Sequence, residues 1–213
     1  MLQFITNSAI PSVVIDQAVA AMEGGCKWIQ LRMKNSPREA VVSTARELKP
    51  LCAKYECILI IDDLVDVAKE LQLDGVHLGK NDMPPAQARL ILGMSAIIGG
   101  TANTFDDIHK LSKQDIEYIG LGPFRFTTTK ENLSPIVGLD GYASIISQCR
   151  ANKIYIPTVA IGGITFDDIP EIMRTGVNGV AVSGSIINAT NPTAETRRMI
   201  DLLQNIIDKR LNK

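Results

Sequence analysis

Eight short segments of nearly continuous apolar residues recur along the chain, and longer amphipathic stretches separate them. This alternation constrains the fold more strongly than any other feature of the sequence. Continuous apolar runs of this length are typical of strands buried on both faces of a parallel sheet, whereas the stretch 36–55 has the apolar spacing of an amphipathic helix. The predicted strands are residues 2–6, 28–32, 58–61, 75–78, 96–99, 118–121, 158–161 and 179–182.

The number of these units predicts a barrel. Eight βα units in 213 residues leave roughly 26 residues for each, which is the length of a βα unit in a small (β/α)8 barrel. A doubly wound open sheet is the alternative, but the first βα turn of that fold should carry a G-x-G-x-x-G motif, which is absent here. No Pro/Ser-rich linker divides the chain. We therefore predict an α/β protein that folds as a single (β/α)8 TIM-barrel domain over residues 1–213.

The charge balance and the apolar pattern argue against several classes of function. The net charge is −1 and the pI is about 6.1, so the chain lacks the basic surface expected of a nucleic-acid-binding protein. No apolar run reaches the roughly 18 residues of a membrane span, and the first residues include no basic n-region. We predict a cytoplasmic protein whose four cysteines, which form no C-x-x-C pair, are structural core thiols.

Polar, charged or glycine-rich segments follow seven of the eight predicted strands. In a (β/α)8 barrel the C-terminal strand ends form one rim, which carries the active site. The segments contain Gln30, Arg32, Lys34, Asp62, Asp63, His77, Lys80, Asp82, Thr101, Arg125, Thr127, Thr128, Thr129, Lys130, Gly162, Gly163, Ser183, Gly184 and Ser185. We expect a hydrogen-bonded structural role for His77 within its strand, and a surface position for His109. No Ser/His/Asp order, H-E-x-x-H or P-loop occurs, which argues against common hydrolases and NTPases.

Two glycine-containing turns predict a phosphate site. Gly162 and Gly163 follow the seventh predicted strand, and Ser183, Gly184 and Ser185 follow the eighth. These are the two strands after which (β/α)8 barrels frequently bind phosphate through backbone N–H groups. Tight turns alone would also explain the glycines, but their occurrence at both strands favours a phosphate pocket.

Two aspartates on the same rim favour a magnesium site. Asp63 and Asp82 follow neighbouring predicted strands, and Mg²⁺ takes a few carboxylates and completes its coordination with water and substrate phosphates. Either aspartate could instead cap the following helix. Arg32, Lys34 and Lys130 on the same rim favour the interpretation as a metal site. The two carboxylates would neutralise Mg²⁺, and the three basic side chains would then balance a diphosphate ester, whose charge is roughly −3.

The ordered set of motifs resembles the thiamine phosphate synthase family. The resemblance rests on Gln30-x-Arg32-x-Lys34, Asp62-Asp63, Gly75-Val76-His77-Leu78-Gly79, Asp82, Gly122-Pro123, Thr127-x-Thr129-Lys130 and Ala160-Ile161-Gly162-Gly163-Ile164, and it extends over nearly the whole chain. It implies a (β/α)8 transferase of thiamine biosynthesis that joins hydroxymethylpyrimidine diphosphate to a thiazole phosphate and releases diphosphate, with Mg²⁺ as cofactor.

The resemblance also implies roles for individual residues. Mg²⁺ would be held by Asp63 and Asp82. The pyrimidine diphosphate would contact Gln30, Leu31, Arg32, Met33, Lys34, Asp62, Thr101 and Lys130, of which Arg32, Lys34, Thr101 and Lys130 would be catalytic through the leaving diphosphate. The thiazole phosphate would contact Thr127, Thr128, Thr129, Gly163, Ser183 and Gly184. The expected partners are small-molecule substrates, without nucleic acid or membrane, and homo-oligomerisation is left open.

Several positions depart from the family pattern. The resemblance places Asp62 where an Asn is usual, Thr101 where a Ser is usual, and Gly184 where a Ser is frequent, and Arg125 and Phe126 also differ. An ionised Asp only accepts hydrogen bonds, so Asp62 must face a donor. That donor would be the amino group of the pyrimidine, which we favour, or Arg32 or Lys34.

Two other functions are compatible with the fold. A thiazole tautomerase would be a relative of similar architecture, but it should not need Arg32, Lys34 and Lys130 to bind a diphosphate. A non-catalytic sensor of a phosphorylated metabolite should not need the carboxylates of Asp63 and Asp82. The presence of both sets favours the synthase.

Overall fold

The computed structural model of the protein describes residues 1–126 and 135–211, in which eight parallel strands close into a barrel in chain order. The strands are β1 (Leu2–Ile5), β2 (Trp28–Leu31), β3 (Ile58–Asp62), β4 (Gly75–Leu78), β5 (Ile97–Ala102), β6 (Tyr118–Leu121), β7 (Thr158–Ile161) and β8 (Gly179–Val182). β1 pairs with β2 on one side and with β8 on the other, which closes the sheet. The predicted α/β class and (β/α)8 TIM barrel are confirmed.

Helices surround the barrel. They are α1 (Pro11–Glu23), α2 (Arg38–Lys54), α3 (Val65–Leu71), α4 (Pro85–Leu92), α5 (Phe105–Leu111), α6 (Gly138–Ala151), α7 (Ile169–Arg174), α8 (Gly184–Ile187) and α9 (Pro192–Leu211), and a 3-10 turn (Phe166–Asp168) precedes α7. None of the described helices combines the length and the apolar character needed to span a bilayer.

The core lies mainly between the strands and the helices. Phe4, Ile29, Leu48 and Tyr142 are fully buried in this layer. A smaller cluster of Ile5, Ile60, Tyr118, Val159 and Ala181 is a separate group of buried side chains contributed by the strands. Apolar residues are therefore buried on both faces of the strands, which is the condition that the continuous apolar runs predict. All four cysteines are buried and free, as expected from their spacing.

A buried arginine holds together α4, β5 and the segment before β6. Arg89 Nη2 donates to both carboxylate oxygens of Glu117 at 2.6 and 2.7 Å, and Arg89 Nη1 donates to the carbonyl of Ala96 at 2.7 Å. Glu117 Oε2 also accepts from the backbone N–H of Ile98 at 2.6 Å. The charges of Arg89 and Glu117 thus neutralise each other, and the two side chains form hydrogen bonds with main-chain groups at the start of β5.

We expect Glu117→Gln to lower the free energy of unfolding by about 1 kcal/mol, because the buried Arg89 guanidinium would lose a charged partner whose own side chain is 41% exposed. Asp115→Asn is the matched control, since the Asp115 carboxylate is 63% exposed and lies 3.4 Å from Arg89 Nε. Urea denaturation monitored by circular dichroism would measure both variants. Equal losses for the two would show that the paired hydrogen bonds from Arg89 to Glu117 add nothing beyond a surface ion pair.

Candidate active site

Two adjoining cavities open at the C-terminal ends of the strands. The larger has a volume of about 650 Å³ and the smaller a volume of about 270 Å³. Their common wall is formed by residues from the ends of several strands: Arg32, Asp62, His77, Gly79, Lys80, Asn81 and Thr101. The two cavities therefore form one cleft at the rim where the sequence predicts the site.

The smaller cavity is the charged part of the cleft. Its lining includes three cations and three carboxylates: Arg32, Lys34, Lys80, Asp62, Asp63 and Asp82. The Arg32 backbone N–H donates to the Thr6 hydroxyl at 2.9 Å, and that hydroxyl lies 3.0 Å from the Arg32 carbonyl. Thr6, at the end of β1, therefore fixes the main chain from which Arg32 enters the cleft. Nothing in the spacing of the sequence singled out Thr6.

Asp62 lies against Arg32. Arg32 Nε is 3.1 Å from Asp62 Oδ2, and both side chains are largely buried, with 12% and 21% of their surfaces exposed. Arg32 therefore provides the hydrogen-bond donor that an ionised Asp62 requires. The sequence analysis named Arg32 as an alternative donor and favoured the amino group of the pyrimidine. Asp62 lines both cavities, so it can also face a ligand.

Asp63 and Asp82 converge beside this ion pair. Their carboxyl groups lie within hydrogen-bonding reach of each other, and burial, with the negative charges of Asp62 and Asp82, raises the pKa of Asp63 to about 8. Asp82 Oδ2 also accepts from the backbone N–H of Gly79 at 2.6 Å. Neither aspartate caps a helix, because Leu64 and Pro84 hold the N-cap positions of α3 and α4.

The donor set of this pair matches a hard divalent cation. In the part of the chain that the structure describes, no group of three or more His, Cys, Asp or Glu side chains forms a metal cage. Two close carboxylates without further protein ligands would leave most of an octahedron to water and to substrate phosphates, which is the coordination that Mg²⁺ prefers. Burial and the negative charges of Asp62 and Asp82 raise the pKa of Asp63, and the positive charge of Arg32 opposes this shift.

The larger cavity is lined by glycine turns and serines. Gly162 and Gly163 have φ angles of +100° and +71°, in the left-handed region where a side chain is strained. A Cβ on Gly163 would lie 2.6 Å from Arg125 Cγ, and the Arg125 guanidinium pairs with Asp168. Gly163 therefore needs to be glycine for its backbone conformation and for the close approach of the neighbouring loop.

The turn after β8 supplies hydroxyl groups to the same cavity. Ser183 Oγ and Ser185 Oγ are buried and have no hydrogen-bond partner among the described residues. Both residues line the larger cavity together with Gly184, the first residue of α8. Buried hydroxyls without partners are costly unless a ligand or water satisfies them, so this end of the cleft is suited to a polar group such as a phosphate.

The structure distributes the predicted residues of the second strand between the cleft and the core. Gln30 and Arg32 line the larger cavity, and Nη1 of Arg32 is buried without a partner among the described residues. Leu31 and Met33 are buried in the hydrophobic core instead. Alternate residues of a strand point to opposite faces, so a substrate contact of Leu31 or Met33 would have to use the main chain.

Some predicted residues lie outside the described part of the chain. Asn103 and Asn188 were not predicted, and Lys80 was placed on the rim without a role. Thr127, Thr128, Thr129 and Lys130 fall between the two described ranges. Asn103 and Asn188 line the larger cavity, and Lys80 lines both cavities, with Nζ 2.6 Å from Asp107 Oδ2. The position of Lys80 just after the fourth strand was the one signal in the sequence that could have assigned it.

The histidines are placed as expected. His77 is buried, with Nδ1 2.8 Å from the Tyr118 hydroxyl and Nε2 2.9 Å from Thr101 Oγ1. His109 is exposed on α5. A hydrogen-bonded role for His77 within its strand is therefore confirmed.

A (β/α)8 barrel with a carboxylate pair, a group of cations and a glycine-lined pocket in one cleft is an enzyme fold equipped for phosphorylated substrates. The family model described as thiamine monophosphate synthase matches residues 2–186. The chain belongs to this family. Its class is that of the thiamine-phosphate synthases, which are transferases of thiamine biosynthesis, and this activity is supported over a tautomerase or a sensor.

Individual relatives agree with the family assignment. The chain is 56% identical to the thiamine-phosphate synthase of Bacteroides thetaiotaomicron over 94% of its own length and 96% of the relative. It is 47% identical to the thiamine-phosphate synthase of Flavobacterium psychrophilum, over 90% of the chain and 93% of the relative. Among solved structures, thiamine phosphate pyrophosphorylase from Pyrococcus furiosus is 30% identical, covers 96% of each chain and superposes with a TM-score of 0.83.

Proposed function

We propose that the cleft joins hydroxymethylpyrimidine diphosphate to a thiazole phosphate, with the diphosphate in the smaller cavity and the thiazole phosphate at the glycine turns of the larger one. The observation that supports this proposal is that charged residues and glycine-rich turns line opposite ends of a single cleft. Cations and carboxylates line one end, whereas glycine turns and unpartnered serine hydroxyls line the other. Two differently phosphorylated substrates would therefore meet at the common wall.

The pyrimidine ring would lie between these two ends, against Gln30. Gln30 lines the larger cavity, so its amide group can face a ring nitrogen or the amino substituent of the substrate. Ile5 and Ala181 line the larger cavity as well and supply apolar surface for a flat ring. This arrangement would orient the reacting methylene group toward the charged cavity.

The reaction would proceed by departure of diphosphate before the new bond forms. The C–O bond to diphosphate breaks with its electron pair on oxygen, the aminopyrimidine stabilises the resulting methyl cation, and the thiazole nitrogen donates its electron pair to that carbon. No protein nucleophile is required. The chain would contribute positioning of the two substrates and donors that stabilise the leaving diphosphate, namely Arg32, Lys34, Thr101 and Lys130.

Mg²⁺ would be held by Asp63 and Asp82, and when bound it would supply Lewis-acid stabilisation of negative charge on the diphosphate. The two carboxylates fit this role because they are close together and bring few ligands of their own. Asp63 leaves β3 in the left-handed region, at φ +63°, and its backbone N–H donates to the His77 carbonyl at 2.9 Å. The backbone of Asp63 is thus fixed against the neighbouring strand.

The reaction is tested directly by incubating the purified protein with both substrates, with and without Mg²⁺, and measuring diphosphate and thiamine phosphate. We expect equimolar formation of the two products, dependent on both substrates and on the metal. Diphosphate release without a coupled product would contradict the transfer, and product formation in excess chelator would contradict the metal. We propose that the protein acts on these small molecules in the cytoplasm, consistent with the enzyme's place in biosynthesis.

Gly163→Ala should weaken binding of thiazole phosphate at least about tenfold while sparing the pyrimidine diphosphate, because a Cβ would lie 2.6 Å from Arg125 Cγ and displace the turn that lines the larger cavity. Gly93→Ala is the control for backbone strain. Gly93 has a φ of +88°, and a Cβ there would meet nothing within 4 Å. Calorimetric titration of each variant with each substrate separates the effects. Equal weakening of both substrates by Gly163→Ala would make Gly163 a structural turn only.

Asp62→Asn should retain turnover within about threefold and tighten binding of inorganic diphosphate by about 1 kcal/mol, since it removes a negative charge paired with Arg32. With Asp62 neutralised, Arg32 offers its whole charge to the anion, so affinity should also fall more steeply with salt. Titrations with diphosphate at several ionic strengths measure both effects. Unchanged affinity and salt dependence would favour the pyrimidine amino group as the partner of Asp62.

A further inference from the structure

Four polar side chains form a hydrogen-bonded chain that runs through the barrel and ends at the cleft. Gln3 Nε2 donates to the Tyr118 hydroxyl at 3.2 Å, the Tyr118 hydroxyl is 2.8 Å from His77 Nδ1, and His77 Nε2 is 2.9 Å from Thr101 Oγ1. These residues come from β1, β6, β4 and β5. Gln3 and Tyr118 are almost fully buried, whereas Thr101 borders both cavities.

Two glycines make room for this chain of side chains. A Cβ on Gly99 would lie 2.2 Å from ring atoms of Tyr118, and a Cβ on Gly120 would lie 3.0 Å from His77 Cε1. Both glycines are in strands, where glycine is unfavourable unless another group approaches closely. The rings of Tyr118 and His77 therefore occupy the space that side chains at positions 99 and 120 would fill.

The hydrogen bond from Gln3 gives the chain a direction. An amide N–H₂ group only donates, so the Tyr118 oxygen accepts from Gln3, and from the Gln30 side chain, and must place its own proton elsewhere. The phenol keeps that proton because complete burial raises the pKa of Tyr118. His77 Nδ1, at 2.8 Å, is in position to accept it.

The direction continues through the imidazole to the threonine. In a neutral imidazole one nitrogen accepts and the other donates, so acceptance at Nδ1 leaves the proton on Nε2. Nε2–H then donates to Thr101 Oγ1, and the threonine proton is left to point into the cleft. With the opposite tautomer, Thr101 would donate to His77 and would turn a lone pair toward the bound anion.

We propose that Tyr118 holds His77 in the Nε2–H tautomer and that His77 thereby makes Thr101 a hydrogen-bond donor to the leaving diphosphate. This inference rests on the proposed function for its second half, since the diphosphate must occupy the smaller cavity. Tyr118 and His77 are positioning residues, because they act on the substrate only through Thr101. The consequence is a donor already oriented before the C–O bond breaks, when negative charge on the diphosphate grows.

The tautomer can be measured without substrate. The chain has 2 histidines, so a His109→Gln background leaves His77 as the sole imidazole in the ¹⁵N spectrum of the labelled protein. We expect a protonated Nε2 and an unprotonated Nδ1 at neutral pH, and a mixture of tautomers after Tyr118→Phe. Protonation of Nδ1 in the parent protein, alone or together with Nε2, would overturn the proposal.

Tyr142→Phe is the matched control for this measurement. Tyr142 is also a buried phenol, but its hydroxyl donates to the Leu121 carbonyl at 3.0 Å and it does not touch the chain of four side chains. Both substitutions remove one buried hydroxyl and leave an aromatic ring in place. A change of the His77 tautomer in Tyr142→Phe as large as that in Tyr118→Phe would show a general loosening of the barrel and would overturn the proposal.

Kinetics test the link to Thr101. We expect Thr101→Val to lower kcat about 10²-fold, as for loss of one transition-state donor, and Thr101→Ser to restore kcat to within about threefold. Tyr118→Phe alone should lower kcat about tenfold with little change in KM, and should cost nothing more in the Thr101→Val background. Multiplicative losses in the double variant would overturn the inference. A parent protein with the Nε2–H tautomer but no transfer of the pyrimidine would instead contradict the proposed function.

Discussion

Asp63→Asn is expected to lower turnover about 10³-fold, because a carboxylate that holds Mg²⁺ against the diphosphate contributes several kcal/mol to transition-state stabilisation. Asn is the informative replacement because Asp63 has a φ of +63°. Asn tolerates the left-handed region, whereas Ala would add backbone strain of about 1–2 kcal/mol to the loss of the ligand. The measurement is kcat at saturating concentrations of both substrates over a range of Mg²⁺.

Asp66→Asn is the control for this prediction. Asp66 lies three residues further along, on α3, where its carboxylate is 63% exposed and pairs with Arg38. Its replacement should leave turnover within about twofold, since surface ion pairs contribute little. Full turnover of Asp63→Asn, or turnover of the parent protein that persists in excess chelator, would remove Asp63 from the metal site.

The barrel could be predicted from the sequence because the signal for it is repeated. Each strand of a closed parallel barrel is buried on both faces, so each appears as a short apolar run, and eight runs in succession leave few other folds. The bounds at the C-terminal ends were less accurate. β3 ends at Asp62 rather than at residue 61, and β5 ends at Ala102 rather than at residue 99, whereas β1 and β2 end one residue earlier than predicted, at Ile5 and Leu31.

These shifted ends have a physical cause. Asp62 and Thr101 are polar, and a pattern based on hydrophobicity ends a strand at the last apolar or glycine residue. In the structure the backbone pairing continues, with Asp62 opposite His77 and Thr101 opposite Gly120. At β3 and β5 the apolar pattern therefore ended the strand too early, whereas Thr6 and Arg32 were included in strands that end one residue before them.

The sequence predicted which residues lie at the rim, but it left the pairing of their side chains open and named Arg32 only as an alternative partner of Asp62. Because all strands of a parallel barrel end at one rim, the polar residues that follow β2, β3, β4, β5, β7 and β8 line one cleft in the described part of the chain, as predicted. The ion pair of Arg32 with Asp62 and the contact of His77 with Tyr118 depend on side-chain directions in neighbouring strands. Such contacts join residues 30 and 41 positions apart, and nothing in local spacing indicates them.

Arg32 should contribute chiefly in the transition state. Its side chain is largely buried, Nε pairs with Asp62, and Nη1 has no partner among the described residues. A buried guanidinium nitrogen without an acceptor is unfavourable in the free protein, so an incoming oxygen would satisfy it. Arg32→Gln is expected to lower kcat by about 10²–10³-fold, with a smaller effect on KM, because in the proposed reaction the charge on the diphosphate would grow as the C–O bond breaks.

The single variant alone would not separate two causes of such a loss. Removing Arg32 also leaves Asp62 without its counter-charge beside Asp63, and that charge would itself repel the diphosphate. The neutral double variant, Arg32→Gln with Asp62→Asn, removes this repulsion while the guanidinium stays absent. If Arg32 stabilises the leaving group, the double variant remains about 10²-fold slow. If Arg32 serves only to neutralise Asp62, the double variant recovers the turnover of the parent protein, and the grip on the diphosphate then lies with the lysines of the cleft.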